Sequence, residues 1–402
     1  MKRRTVGTLL LSCAIIGLIA VAYYNTGKRS ESIVFTQRAM LTSTWNGYKK
    51  AYLEPGTFRT VDKQREGVTT SEGQSYTMLR AVWMDDKEVF DKSWQWTKDN
   101  LQRDDDKLFS WLFGKRADGT FGILTEQGGG NTATDADSDI AMALLFAYAR
   151  WGDENYLNEA KAIINDIWEK EVVIVNGKPY LAANNVEKTS TSEYIVINPS
   201  YFSPYAYRMF AEVDPAHPWE SLITTSYEVL EKSMSANLDK PESANLPPNW
   251  IVMHERTGEI KASPVSTLET NYGYDAIRVP WRIGLDWQWY KEPRAKALLE
   301  RMSHLKEEWR DQKALYTVYS HDGQPLAKQQ SPAHYGTSLG YFMVESPRIA
   351  EDIYTKKLAL LYSPDIQSWK EQLSYYDDNW AWFGLALYSD QLPNLFETIT
   401  SR

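Results

Sequence analysis

Apolar residues return at three- and four-residue spacing in a dozen separate stretches of this chain, and that recurrence constrains its fold more than any other feature. The stretches are 35–53, 71–84, 86–102, 137–151, 153–170, 200–213, 218–235, 273–290, 293–311, 332–344, 347–362 and 378–391. Such spacing places apolar side chains on one face of a helix, and each face must be buried against another. In 137–151, Ile140, Leu144, Ala147 and Trp151 line one face. Asp135, Asp137 and Asp139 stand before or in the first turn, where negative charge suits the helix dipole. Strand signals are isolated hairpins. Val172 to Val175 runs into Asn176-Gly177, Leu315 to Tyr319 is followed by Asp322-Gly323, and Trp250 to His254 is followed by Thr257-Gly258. Hairpins this scattered cannot add up to one large sheet and are read as decorations on loops. Periodicity leaves two all-α solutions open: a bundle, or helical hairpins closed into a double-layered barrel.

The N-terminus is expected to be a targeting segment. Met1-Lys2-Arg3-Arg4 is positively charged, and Thr5 to Tyr24 carries no charge over about twenty residues, enough to cross a bilayer. With its basic start held in the cytoplasm, the rest of the chain should be exported. Ala20-Val21-Ala22 fits a signal-peptidase site, but the apolar run exceeds a usual signal core, which favours an uncleaved anchor. Residues 1–32 are therefore expected to be a signal peptide or membrane anchor with a short stalk. Residues 33–402, free of low-complexity stretches and linkers, are expected to form one extracytoplasmic domain. The single cysteine, Cys13, lies in the apolar run, so that domain has no disulfide, thiol nucleophile or cysteine metal site.

Charge narrows the partner. Lys and Arg total 44 against 53 Asp and Glu, a net charge of -9, which argues against nucleic acid or another polyanion. The 16 Trp and 25 Tyr offer flat faces that can stack on sugar rings, although most such rings fill helix interfaces. Three segments gather carboxylates beside aromatics at the starts of predicted helices: Ser71-Glu72-Gly73-Gln74-Ser75-Tyr76, Asn131 to Ala141, and Tyr272 to Arg282. Each alone has a plain structural explanation. Glu72 and the aspartates could stabilise helix starts, and Asp275 could pair with Arg278 three residues on. The Asp-x-Asp-x-Asp spacing is not a calcium loop, since Ile140 and Phe146 stand where Gly and Glu are needed. Together the segments suit glycosidic cleavage, which needs one protonated and one ionised carboxyl. His217, His254, His304, His321 and His334 have no metal spacing, and no nucleophile elbow or phosphate loop is present.

The run ATDADSDIAMALLFAYARW, Ala133 to Trp151, resembles the signature of glycoside hydrolase family 8. Ser71-Glu72-Gly73-Gln74 is similar to that family's general-acid segment. Tyr274-Asp275-Ala276 with Arg278, Pro280 and Trp281 is similar to its general-base segment, and Asn198 to Phe202 to a cleft-lining piece. The resemblance implies an (α/α)6 barrel with a few small β-hairpins in its loops and a long open cleft. It implies Glu72 as general acid, Asp275 as general base of an inverting reaction, and Asp135 as the residue that holds or distorts the sugar at the cleavage point. Tyr201 and Arg278 are expected to support the site, Trp111 to give a stacking platform, and Gln74 and Trp281 to contact substrate. No cofactor or metal is implied.

The expected substrate is a β-1,4-linked polysaccharide. Family members similar to this chain accompany exopolysaccharide synthases, so the producer's own exopolysaccharide is preferred, with such a synthase as partner. A cellulase, xylanase or chitosanase acting on an external polymer is the alternative within the same chemistry, and two rivals of other classes stand beside it. A non-catalytic binding or synthase-assisting protein is disfavoured by the presence of both Glu72 and Asp275, and a lyase on acidic polymers is disfavoured by the negative charge. One tension is visible: a helix start should acidify Glu72, whereas a general acid must keep its proton near neutrality. Burial and the charge of Asp135 have to raise it again.

Overall fold

The structure is a computed structural model that describes residues 37–397. The expected signal or anchor segment, residues 1–32, lies outside the described residues. Among the described residues no helix is long and apolar enough to cross a membrane.

Helix α1 covers 37–52. It is followed by α2 (Ser71–Trp83), α3 (Lys87–Leu101), α4 (Thr134–Trp151), α5 (Glu154–Glu171) and the single turn α6 (Val186–Thr189). Next come α7 (Pro204–Val213), α8 (Trp219–Ser235), α9 (Arg278–Tyr290), α10 (Pro293–Glu300) and α11 (Ser303–Gln312). The last three are α12 (Pro332–Glu345), α13 (Pro347–Ile353) and α14 (Tyr375–Tyr388). Helices α2, α4, α7, α9, α12 and α14 form an inner ring, each packed on the next, while α3, α5, α8, α10 and α13 pack outside the inner helix that precedes them. Helix α1 completes the outer layer over the α14–α2 seam, where Trp382 Nε1 donates to Leu41 O at 3.0 Å and Tyr48 Oη meets Thr77 Oγ1 at 3.2 Å. This is the (α/α)6 barrel implied by the resemblance.

The inner helices are buried nearly all round. Thr134 to Ala147 of α4 and Tyr375 with Asp378 to Leu387 of α14 are inaccessible, so the amphipathic stripe is clearest on outer helices such as α3 and α5. The ring closes at Arg80, which donates from Nη1 to Asp378 Oδ1 and Asn379 Oδ1, both at 3.0 Å, while its guanidinium lies 4.2 Å from the Tyr48 ring centre. Glycines set the spacing on the other side. A Cβ on Gly336 would lie 2.1 Å from Trp380 O, and one on Gly340 would lie 2.1 Å from Pro280 O. Helices α9, α12 and α14 therefore meet backbone to backbone.

Several boundaries differ from the periodic reading. The stretch 293–311 is two helices, because Arg301 and Met302 donate to carbonyls only three residues back, tightening and ending α10. In 200–213 the helix starts only at Pro204, since a residue before proline is pushed out of the helical region; Ser203 is at φ -127, ψ 66. In 347–362 a π turn at Tyr354–Leu358 and a 3-10 turn at Ala359–Leu361 follow α13. The hairpin Val172–Val175 with Lys178–Leu181 turns through Asn176 and Gly177, both at positive φ, as Asn-Gly predicts. Val318–Tyr319 pairs with Pro325–Ala327, and Ile251–His254 pairs with Ile260–Lys261. Tyr194–Ile197 adds to the latter as a third strand, and a second three-stranded sheet joins Thr69–Thr70, Leu112–Lys115 and Phe121–Ile123. Neither three-stranded arrangement is visible in the spacing, since strands of two to four residues carry almost no period.

Candidate active site

The starts of α2, α4, α7, α9 and α14 supply the side chains of one cluster. Glu72 stands in the first turn of α2, behind the cap in which Thr70 Oγ1 accepts from Gly73 N at 3.0 Å. Asp135 is in the first turn of α4. Asp275 lies just ahead of α9, in a turn held by Asn249, whose Oδ1 accepts from Gly273 N at 3.1 Å and Ala276 N at 2.9 Å. That capture diverts residues 273–277 from the helix their periodicity predicts. Tyr201 ends the short turn Pro199–Tyr201 before α7, and Tyr375 opens α14.

Arg278 ties the cluster together. Its Nη1 donates to Glu72 Oε2 at 2.9 Å and to Asp135 Oδ2 at 2.8 Å. Its Nη2 donates to Asp275 Oδ1 at 2.8 Å and to Ser200 Oγ at 2.7 Å, and its Nε donates to Asp275 O at 3.2 Å. The guanidinium sits 5.2 Å from the Tyr201 ring centre. The Arg278 side chain is 1% exposed and that of Asp135 is 3% exposed, whereas Glu72 and Asp275 keep 25% and 33%. The two carboxyls proposed to do chemistry face the open space, and their anchors lie beneath.

One guanidinium cannot neutralise three carboxylates. Burial, partly offset by Arg278 and reinforced by the charges of Asp135 and Asp275, pushes the Glu72 carboxyl up to about 7. The tension between helix dipole and proton retention is thus resolved in favour of the proton. Burial also raises Asp275, and the adjoining Arg278 opposes that rise. Tyr375 Oη donates to the other Glu72 oxygen at 3.3 Å.

The Asp-x-Asp-x-Asp run divides among three partners. Asp135 pairs with Arg278, and Asp139 makes a two-pronged pair with Arg282 at 2.9 and 2.8 Å. Asp137 turns toward Glu171. None of the three is a solvated helix-start acid; all are buried.

Trp111 is half-buried beside the cluster. Its backbone carbonyl accepts from Ser71 N at 3.1 Å and its Nε1 donates to Gly128 O at 2.9 Å, which leaves part of the indole accessible. Two expected substrate contacts are placed elsewhere. Gln74 is fully buried: its Nε2 donates to Ser93 O, Ser93 Oγ and Thr97 Oγ1, and its Oε1 accepts from Thr60 N. It pins α2 to α3, because two residues along a helix is more than half a turn away from Glu72. Trp281 is 2% exposed, packs edge-on to Trp380 and donates Nε1 to Phe383 O at 2.9 Å. It is core, one turn deeper than Arg278. Neither residue can touch a polymer in the cleft.

Residues that the sequence reading missed include Tyr375, Asn249, and Tyr376, whose hydroxyl donates to Tyr274 O, while Ser200 lies in the cleft-lining piece Asn198 to Phe202 but is given no role of its own. Tyr274 is 47% exposed beside Asp275 and presents its ring to solvent. The available signal for Tyr375 and Tyr376 was their place at a helix start, obscured because the periodic stretch begins at 378.

Comparison with known proteins gives the family and the fold. The model of the glycosyl hydrolases family 8 matches residues 22–359. Endoglucanase 2 of Ruminiclostridium josui is 32% identical over 273 residues, 66% of this chain and 54% of that protein. Endoglucanase A of Acetivibrio thermocellus is 25% identical over 430 residues, 100% of this chain and 83% of that protein. This chain thus spans about half the length of the first relative. The crystal structure of an endo-1,4-D-glucanase from Vibrio fischeri ES114 superposes with a TM-score of 0.72 at 26% identity, covering 86% of this chain and 94% of that one. With the family match running through the segments that carry Glu72, Asp135, Tyr201, Asp275 and Arg278, the chain belongs to the glycosyl hydrolases family 8.

Proposed function

We propose that this protein is an exported inverting endo-glycoside hydrolase that cleaves a β-1,4-linked polysaccharide, and that its polymer is a glucan-like exopolysaccharide of the producing cell. The observation that carries the reading is Arg278 bonded to Glu72, Asp135 and Asp275 together, with only Glu72 and Asp275 open to solvent. A carboxyl that holds its proton to about pH 7 can donate it to the leaving glycosidic oxygen as the bond to the anomeric carbon breaks. Asp275, ionised, takes a proton from a water that attacks that carbon from the opposite face. The two carboxyls bond to different nitrogens of one guanidinium, an arrangement compatible with the roughly 6.5–9.5 Å gap that admits the water. Asp135, immobilised by Arg278 and by Ala136 N at 2.9 Å, is suited to hold a sugar hydroxyl at the cleavage point. Trp111 and Tyr274 offer ring faces to neighbouring sugars.

The relatives named endoglucanases support a β-1,4-glucan as substrate class. The basic, then apolar N-terminus supports export and tethering, which suits an enzyme trimming a polymer as a membrane synthase extrudes it. The test is reducing-end release from cellulose derivatives, mixed-linkage glucan, xylan, chitosan and the producer's exopolysaccharide, with Glu72→Gln as control. Cleavage of a β-1,4 polymer that disappears in the variant is expected. No cleavage of any of them would leave the binding or synthase-assisting role as the better account.

A further inference from the structure

Behind the cluster lies a pair of acids that the proposed chemistry does not use. Asp137, in the first turn of α4, and Glu171, the last residue of α5, are both 0% exposed, and their carboxyls lie close enough to act on each other. Asp137 Oδ1 accepts from Phe109 N at 3.0 Å. Glu171 Oε1 accepts from the Thr132 hydroxyl, which in turn accepts from Asn185 N at 2.9 Å. Among the described residues, Asp137 Oδ2 and Glu171 Oε2 are left buried with no donor. Two ionised carboxyls this close in the interior repel, and among the described residues no cation is bonded to either, unlike Asp135 on Arg278 and Asp139 on Arg282. The charged groups that act on the pair are Asp106, itself held by Arg103 at 3.1 Å, and Asp135, and both add negative charge.

We propose that Asp137 and Glu171 share a proton between Oδ2 and Oε2, and that this acid pair is a positioning device that locks the floor of the cleft. The segments it joins are those that carry the site. Phe109 precedes the Trp111 platform by two residues, Thr132 precedes Asp135 by three, and Asp137 lies two residues beyond Asp135. Removing the proton places two carboxylates in contact in the interior, which spreads the Trp111 segment from the start of α4. Burial, above all, raises both carboxyls well beyond their ordinary range, in keeping with a retained proton.

Linkage fixes the sign: a carboxyl raised in the fold contributes stability at low pH that is lost as pH rises toward its folded value. Glu171→Gln supplies a permanent donor in the proton's place, and Asp137→Asn does the same from the other side. The experiment is thermal melting of the full chain and both variants from pH 5 to pH 9. The melting temperature of the variants is expected to gain on the wild type steadily across that range. A gap that stays constant with pH, as a purely structural role would give, overturns the pair. If the variants fail to fold, infrared spectra of the wild type at pH 9 decide: a protonated-carboxyl band supports the shared proton, and its absence overturns it. The positioning role is read from cellohexaose binding in the Glu72→Gln background at pH 6 and pH 9. About tenfold weakening at the higher pH is expected, and its abolition by Glu171→Gln; equal weakening in both proteins overturns the role. This last arm rests on the proposed substrate class, and absence of cellohexaose binding at every pH would fault that class while melting still judges the pair.

Discussion

Burial lets Glu72 keep a proton, and Arg278, with one positive charge against three carboxylates, does not offset it in full. The guanidinium also opposes the rise at Glu72, so removing it separates two roles. In Arg278→Met, Asp135 and Asp275 lose their anchor, and kcat is expected to fall by about 10²–10³-fold, the usual scale for a deleted electrostatic contact at a reacting centre. The alkaline limb of the pH–rate profile, expected near pH 7 in the wild type because the proposed acid Glu72 must be protonated, is expected to move to higher pH in the variant. A limb that stays in place would mean that another group sets it. At this scale the sequence was legible where chemistry imposes a residue type: Glu72, Asp135, Asp275 and Arg278 meet in one cluster. It was misleading at Gln74 and Trp281, which share the same segments but point into the barrel wall. A motif identifies a stretch of chain, whereas the helical period decides which of its side chains face the cleft.

The inner helices can present their first turns to one cleft only if they pack at fixed height and spacing. On the α9–α12–α14 side that spacing is set by Gly284, Gly336, Gly340 and Gly384. Gly336→Ala would drive a methyl to 2.1 Å from the Trp380 carbonyl, which no side-chain rotation relieves. Overpacking of this kind is expected to cost about 1–3 kcal/mol or more. Chemical denaturation should show a lower midpoint, with activity falling further than stability, because α14 also carries Tyr375 to Glu72. An unshifted midpoint would mean that the helices can part without cost. Helix existence was legible from periodicity, but several ends were not. Asn249 reaches from a distant loop to stop α9 short of Asp275, and nothing within 273–290 announces it. The three-stranded sheet that braces Trp111 against Ser71 was likewise hidden, since its strands are two to four residues long.

Across the whole molecule, the barrel is a means of bringing residues separated by some two hundred positions to one guanidinium: Glu72 lies 206 residues from Arg278, and Asp135 lies 143. Periodicity alone left bundle and barrel equally open, because both stack amphipathic helices with short connections. The choice depended on closure contacts such as Arg80 with Asp378 and Asn379, which join the second helix to the last and have no local trace in the chain. The central claim is that Glu72 and Asp275 work in one displacement, as acid and base on opposite faces of the sugar. It is tested most directly by proton NMR of the anomeric centre during the first minutes of cello-oligosaccharide cleavage. The account predicts that the α-anomer appears first and relaxes to the equilibrium mixture, and a β-anomer appearing first would contradict it.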